Sequence, residues 1–531
     1  MATEELNAIE IEIARNRLSS IAEEVGSALI RTAYSPNIKD RRDCSAGLYA
    51  PDGTLISQAE HIPLHLGLMP TMIANAIAEY GAENIREGDV LMTNNPYIGG
   101  SHLPDVCVIS PLFYDGELIA LVATMAHHVD VGGIAPGSMA THATEIFQEG
   151  IRIPTMRLFA AGQIQSEVLA LLMMNIRTAE KTRGDLIAQV SANRLGLRRI
   201  HELVDDWGVD GFHRACDSLL SYSERRTRAA ITKLPDGTGT FTDYLEHNGL
   251  YAAEIPITAT VTVAGDQVTV DLSETADQVD GAVNCSYAVA RSCAAYVLKV
   301  LADPTLPSNA GLTRPIEVIT RPGSLVHAEF PAPVAHGNTQ TSQRVVDTIF
   351  GAFNEFTEHL VPAASSGSMS IVTIGGIDPK NGTYYSYVET YGGGQGANPD
   401  GPGASATHTH MSNTKNTPCE VIEREYPLRV ERYEIVRNSG GSGLYRGGEG
   451  LRRSLTLTRG KATVVAGTSR VATRPWGLNG GGDGGPARVE ARTNGEVREL
   501  ESMGSLQVGV DGTVTIQTAG GGGYGEPEAG R

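Results

Sequence analysis

Two short stretches carry side chains able to hold a metal. The first, "GGSHLPDVCVISPLF" at 99–113, puts His102 three residues before Asp105, and Pro104 between them fixes the local backbone. The second, "HHVDV" at 127–131, offers His127, His128 and Asp130. Imidazole and carboxylate together suit a divalent transition metal such as Zn, Mn or Fe. Three protein ligands with coordination positions left open are how catalytic metals are held. The plainer reading is that polar residues at strand ends bond backbone amides and nothing else.

The chain between the two stretches is what joins them. Residues 105–114 and 117–126 are apolar runs separated by Asp115-Gly116, a pair that favours a tight hairpin turn. If the runs pair, Asp105 and His127 arrive at the same end of a sheet. Periodicity does not choose between His127 and His128, because neighbours in a strand point to opposite faces.

Three further groups are candidates. Asp43 in "NIKDRRDCS" (37–45) has the neighbours of a salt-bridged carboxylate, yet it leads into an alternating strand and can point inward as an extra ligand. His61 and His65 in "QAEHIPLHLG" are four apart, but Pro63 interrupts a shared helix face; loop contacts near a site and structural hydrogen bonds both fit. His408 and His410 lie in "GGGQGANPDGPGASATHTHMSNTKNTP" (392–418), which reads as a flexible surface loop or as a substrate or subunit-contact loop. That stretch is not a P-loop, and no nucleophile elbow of the G-x-S-x-G type occurs.

These residues must be positioned by a large scaffold. At 531 residues, with 41% hydrophobic and 19% charged, the chain is globular and long enough for two to four domains or layers. Residues 7–31 read as an amphipathic helix, with Ile9, Ile13, Leu18, Ile21, Val25 and Leu29 at helical spacing. Hairpin chemistry surrounds Pro51-Asp52-Gly53, and 68–81 is helical again. A glycine- and proline-rich loop fills 127–154, a length that is usually functional or disordered. Residues 166–233 are strongly helical, and from about 237 strands appear, with a hairpin at Ala264-Gly265-Asp266. After a helical stretch at 340–361 the chain turns mostly β, with many of the 61 glycines in its loops.

The expected class is α+β (mixed α/β) and multi-layered. An N-terminal mixed α/β region, 1–235, carries the metal site. A central α+β region covers 236–430, and a Gly-rich, mainly β region with a C-terminal tail covers 431–531.

The net charge is −19 and no basic block occurs, which argues against nucleic acid as a partner. The first residues, "MATEELNAIEIEIARNRL", lack the layout of a signal peptide, and no apolar run is long enough to span a membrane. A cytoplasmic protein is expected. The six cysteines are scattered without a CxxC pair and read as reduced thiols.

Several long motifs now combine: "RRDCSAGLYAPDGTLISQAEHIPLHLGLM", "NNPYIGGSHLPDVCVISPLF", "NIRTAEKTRGDLIAQVSANRLG" and "NTPCEVIEREYPLRVERYEIVRNSGGSGLYRGGEGL". With "HHVDVGGIAPGSM" they resemble the hydantoinase B/oxoprolinase family over nearly the whole chain. The resemblance implies a subunit that works with a hydantoinase A-type partner of actin-like fold, which binds ATP and Mg. It implies an α2β2 heterotetramer that opens hydantoins, 5-oxoproline or other lactams with ATP; related complexes carboxylate acetone or acetophenone. It places metal ligands on His102, Asp105 and His127, with Asp43 as a fourth, and so selects His127 over His128. Within it Asp130, His128 and Glu145 are expected to orient the ligands and water. Two other readings are a ketone carboxylase subunit and a metal-free scaffold for the ATPase. Gly99 and Gly100 are expected to leave room for substrate or backbone beside the metal.

Overall fold

The computed structural model describes residues 6–59, 61–493 and 495–527, so the last four residues of the glycine-rich tail lie outside it. The first helix, α1 (Ala8–Thr32), starts where the Asn7 side chain accepts the amides of Ile9 and Glu10 while Glu10 reaches back to the Asn7 amide. Its buried stripe is Ile11, Ala14, Leu18, Ile21, Val25 and Leu29. Ile9 and Ile13, expected on that stripe, are 74% and 51% exposed. Carried back from Leu29 at the helical pitch, the stripe passes through Ala14 and Ile11 and leaves positions 9 and 13 off its face.

Seven antiparallel strands form the central sheet: β1 (Cys44–Tyr49), β2 (Leu55–Gln58), β3 (Val90–Thr93), β4 (Asp105–Tyr114), β5 (Glu117–His127), β6 (Met156–Ala160) and β7 (Gln163–Ile164). Their order is β2-β1-β5-β4-β3-β6-β7. Alternation gives the sheet two apolar faces: Ala120, Val122 and Ala126 of β5 enter one core, Leu121, Ala123 and Met125 the other.

The remaining long helices are α2 (His65–Tyr80), α3 (Ser166–Asn175), α4 (Ala179–Trp207), α5 (Val209–Ile231), α6 (Tyr287–Ala302) and α7 (Ser342–Asn354). Helices α1, α4 and α5 cover the first face through Leu18, Val25, Ala192, Ile200 and Phe212. Helices α2, α6 and α7 cover the second through Leu68, Met72, Val289 and Ile349. Beyond them lies a second sheet, β11-β10-β9-β8, built from β8 (Gly237–His247), β9 (Ala252–Ala264), β10 (Gln267–Asp271) and β11 (Ile316–Ile319). Its Ile257, Val261 and Val263 close the same core. The architecture is therefore mixed α/β in four layers, and the hairpin read at 264–266 joins β9 to β10.

Nine strands follow: β12 (Ile371–Ile377), β13 (Tyr384–Thr390), β14 (Leu428–Val436), β15 (Gly450–Leu457), β16 (Ala462–Gly467), β17 (Arg488–Thr493), β18 (Glu496–Leu500), β19 (Met503–Val508) and β20 (Thr513–Gln517). They make two sheets, β13-β12-β16-β19 and β14-β15-β20-β17-β18. Val372, Tyr387 and Val464 of one meet Leu455, Val489 and Val514 of the other in a shared core.

The glycine-rich connections are packed, not free. Gly394 N donates to Ala519 O, Gly441 N to Gly521 O, Gly521 N to Gly448 O, Gly522 N to Ala364 O and Gly523 N to Gly482 O. Segments from distant parts of the chain thus run side by side, with carbonyls standing where side chains would be. A methyl on Gly521 would overlap the Gln395 oxygen, and one on Gly523 the Ser442 oxygen. This corrects the reading of 392–418 as a flexible surface loop: most of 392–397 and all of 410–412 are buried. Among the described residues no helix is long and apolar enough to cross a membrane.

Candidate metal centre

The centre is built on the β4–β5 hairpin. Asp115 (φ 49°) and Gly116 (φ 84°) both take the left-handed conformation that a tight hairpin turn demands. The register that follows pairs Asp105 with His127. Directly opposed residues of an antiparallel pair share a face, so these two side chains project together. His128 turns the other way, where its Nε2 lies 3.0 Å from Gln189 Oε1 of α4. The Gln189 amide in turn donates to the Val106 and Thr124 carbonyls. Register thus settles which imidazole accompanies Asp105, a choice that periodicity left open. His102 comes from the turn before β4, closed by Asp105 N donating to His102 O at 3.1 Å.

His102, Asp105 and His127 are buried, and their ligand atoms all lie within 4.8 Å of one another. His102 Nε2 is 3.3 Å from Asp105 Oδ2, and the two imidazole rings meet edge to face at 5.0 Å. Each group is held from behind. His102 Nδ1 donates to Ala335 O at 3.0 Å, which leaves the Nε2 lone pair facing inward. Ser101 Oγ donates to Asp105 Oδ2. Asn37 Nδ2 lies 3.4 Å from His127 Nδ1.

Asn338 Nδ2 is 3.2 Å from His102 Nε2, while its buried Oδ1 has no hydrogen-bond partner. The group borders a cavity of about 20 Å³, room for one water-sized occupant. Arg41, Asp43, His65, Ser412 and Thr414 complete its polar wall.

Electrostatics sharpen the donor set. Burial alone would lower His102, but the Asp105 charge and hydrogen bond outweigh it and raise the imidazole. Burial works against ionised Asp105, yet His102 beside it holds the carboxyl well below its usual range. Burial brings His127 down to about 4, so it is a neutral imidazole at neutral pH. One carboxylate, one neutral imidazole and an orphaned amide oxygen are the donor types that divalent transition metals accept.

The other expected residues are placed differently. Asp43 lines the cavity, but its Oδ2 lies 3.5 Å from Arg41 Nη2. Asp130 organises the following loop: Oδ1 accepts Gly132 N and Arg177 N, and Oδ2 accepts Gly137 N and Arg177 Nη1. Glu145 is exposed; the buried acid of its stretch is Glu149, whose Oε1 accepts the amides of Val334 and Ala335 at 2.8 Å. His65 pairs with Ser45 Oγ at 2.8 Å and comes within 3.9 Å of Asp105 Oδ2. His410 pairs with Asp347 at 3.0 Å, and His408 with Ser412 Oγ at 2.9 Å.

Gly99 and Gly100 do not line the cavity, which corrects their expected role. Gly99, at φ 112°, lets the chain pass against Thr71 and Met72 of α2, and Gly100 lets it pass Asn95 O. Glu149, Asn338 and Ala335 were not found by sequence reasoning. No local pattern marks them, since their role depends on contacts across more than 180 residues.

Comparison with known proteins gives the context. The Hydantoinase B/oxoprolinase family model matches residues 7–527. The chain is 35% identical to the putative B-type chain of a D-/L-hydantoinase from Pseudomonas sp., covering 98% of this chain and 90% of that one. It is 32% identical to a 5-oxoprolinase of Dictyostelium discoideum, covering 99% of this chain but only 41% of that protein's length. Among solved structures it matches the ATP-dependent caprolactamase from Pseudomonas jessenii at a TM-score of 0.91 and 30% identity, over 98% of this chain and 92% of the other. An acetone carboxylase shares the fold at a TM-score of 0.90 with 18% identity, over 98% and 76% of the two chains.

Proposed function

From the premise that the chain belongs to the hydantoinase B/oxoprolinase family, we propose that it is the metal-binding subunit of an ATP-dependent cyclic amidase. The observation that carries this reading is the buried convergence of His102, Asp105 and His127 on one small cavity. The Pseudomonas relative, named as one of a hydantoinase's subunits, supports a separate ATP-binding partner of the hydantoinase A type, in an α2β2 assembly. The 5-oxoprolinase, more than twice as long, supports the same division of labour in a single chain.

An amide is a poor electrophile because resonance protects its carbonyl. Transfer of a phosphoryl group from ATP to the amide oxygen, in the partner, replaces that protection with a leaving group. This chain then has to receive the activated ring away from bulk water. His102, Asp105 and His127, with Asp43 nearby, would hold a divalent Zn, Mn or Fe ion, which supplies an activated water at neutral pH.

The residues around the cavity do the rest. Ala335 and Ser101 fix the orientation of His102 and Asp105. Arg41, held by Val388 O and Thr390 Oγ1, keeps a positive charge at the wall, and its Nε has no partner. With the Asn338 amide it can steady negative charge that develops on the ring carbonyl.

The test is co-expression with the A-type partner, metal analysis of the purified complex, and ATP-dependent turnover of hydantoins, 5-oxoproline and caprolactam. Bicarbonate-dependent turnover of a ketone would replace this reading with the carboxylase one. A fully active complex without bound metal would replace it with the scaffold one.

A further inference from the structure

The cavity beside His102, Asp105 and His127 has a neighbour. A chamber of about 260 Å³, open to the outside, lies across a thin partition formed by residues 61–66 and 411–414. Residues of the partition face alternately inward and outward. Leu64, His65, Ser412 and Thr414 line the inner cavity, while His61, Pro63, Leu66 and Asn413 line the outer chamber. Ile62 lines both. The two partition loops are tied by Asn413 Nδ2 donating to His61 O at 3.2 Å. On the inner side His65 bonds Ser45 Oγ and approaches Asp105. Another cavity, of about 300 Å³, shares no wall residue with the metal cavity.

Sizes decide what each space can take. The inner cavity, about 20 Å³, holds an ion or a water. A cyclic amide is several times larger than a water, whose share of liquid volume is about 30 Å³. The ring therefore has to sit elsewhere, with its reacting carbon reaching the inner cavity. The outer chamber has the volume, and Pro63, Leu66, Tyr296 and Val300 give it apolar walls suited to the methylene side of a ring.

We propose that the outer chamber binds the ring of the cyclic amide, and that Ile62, the wall residue common to both spaces, sets the ring size that can reach the metal cavity. This rests on the cyclic-amide reading above and names the residue that would give it specificity.

The experiment uses the complex with its A-type partner, wild type and the Ile62→Ala, Ile62→Trp and Val300→Trp variants. Val300 is 41% exposed, so its variant fills the chamber without disturbing the core. Two readouts are taken: caprolactam and 5-oxoproline binding by saturation-transfer NMR, and ATP-dependent kcat and KM for both. A single pocket contact shifts discrimination by about tenfold or more. Ile62→Ala is expected to raise kcat/KM for the seven-membered ring relative to the five-membered one by about that factor, and Ile62→Trp to lower the same ratio. Val300→Trp is expected to raise KM and weaken the NMR signal for both rings.

A merely structural role would lower both substrates together and leave their ratio unmoved. An unchanged ratio in the Ile62 variants, with ring binding unchanged in Val300→Trp, overturns the proposal. If the wild type binds the rings and Val300→Trp loses them while no turnover occurs, the chamber stands and the cyclic-amidase reading falls.

Discussion

Glu149 and His102 are joined through one dipeptide: Glu149 Oε1 accepts the amides of Val334 and Ala335, and the Ala335 carbonyl accepts the proton of His102 Nδ1. Burial, against the pull of those amides, pushes the Glu149 carboxyl up to about 8 from the 4.5 of an unhindered glutamate. The folded protein therefore holds a proton there that the unfolded chain releases. Stability from this group is highest below about pH 4.5 and falls as pH rises towards 8, by at most about 1.4 kcal/mol per pH unit. Glu149→Gln keeps an acceptor for both amides and removes the titration. Its melting temperature is expected to gain on the wild type steadily from about pH 5 to about pH 8, and parallel curves would show that Glu149 does not titrate in that window.

His102→Ala and Asp105→Ala each remove one ligand of the proposed metal. Residues that only hydrogen-bond to metal ligands are worth about 10- to 100-fold in affinity or activity, so a direct ligand is expected to cost at least about 100-fold. Metal content and ring-opening rate should fall together. Chelation of the wild type should lower its melting temperature, because an ion that binds only the folded state adds to its stability.

A buried charge network ties the second sheet to α7 and the β-rich half. Arg470 Nη2 lies 2.9 Å from Asp243 Oδ2 and 3.1 Å from Asp347 Oδ2, and Arg344 Nη1 is 3.2 Å from Asp243 Oδ1. Arg470→Ala leaves two buried carboxylates short of a partner and is expected to cost about 3–5 kcal/mol in urea unfolding. Burial opposes the Asp243 charge, but Arg344 and Arg470 outweigh it and hold the carboxyl at about 2, below its ordinary 3.8. Its contribution is present above pH 3.8 and is lost as pH falls through 2. Arg470→Ala should therefore flatten the acid limb of the stability curve as well as lower its plateau.

Two glycines in the β-rich half should respond oppositely to alanine. A methyl at Gly521 overlaps the Gln395 carbonyl oxygen, which is backbone and cannot swing aside. Gly521→Ala is expected to cost about 1–3 kcal/mol or more, as overpacking does. Gly401 has nothing near its added methyl, so Gly401→Ala should stay within about 0.5 kcal/mol. Equal melting temperatures for the two variants would mean that the glycine segments are not packed as described.

Much of the site is legible in sequence because its signals are local. Asp115-Gly116 between two apolar runs marks the hairpin, and the hairpin alone brings Asp105 to His127. What surrounds the ligands is not local. "THATEIFQEG" shows Glu145 and Glu149 on equal terms, and only the Val334–Ala335 amides, 185 residues and more away in sequence, decide which one is buried. Asn338 reaches His102 across 236 residues. The helices and most strands followed from periodicity, whereas Ile9 and Ile13 did not, because helical spacing fixes a stripe's pitch and not where it meets its neighbours.

The interleaved glycine segments also impose a timetable. Residues 519–525 bond to Ala364, Gly394, Ala397 and the 439–448 and 478–485 segments, all of which leave the ribosome before them. Those earlier segments have few side chains with which to recognise one another, and their amides remain exposed to water until the late stretch arrives. The β-rich half therefore closes as a last act of synthesis. A nascent chain stalled before residue 519 should be the form most open to proteases and chaperones, however complete its metal-binding half already is.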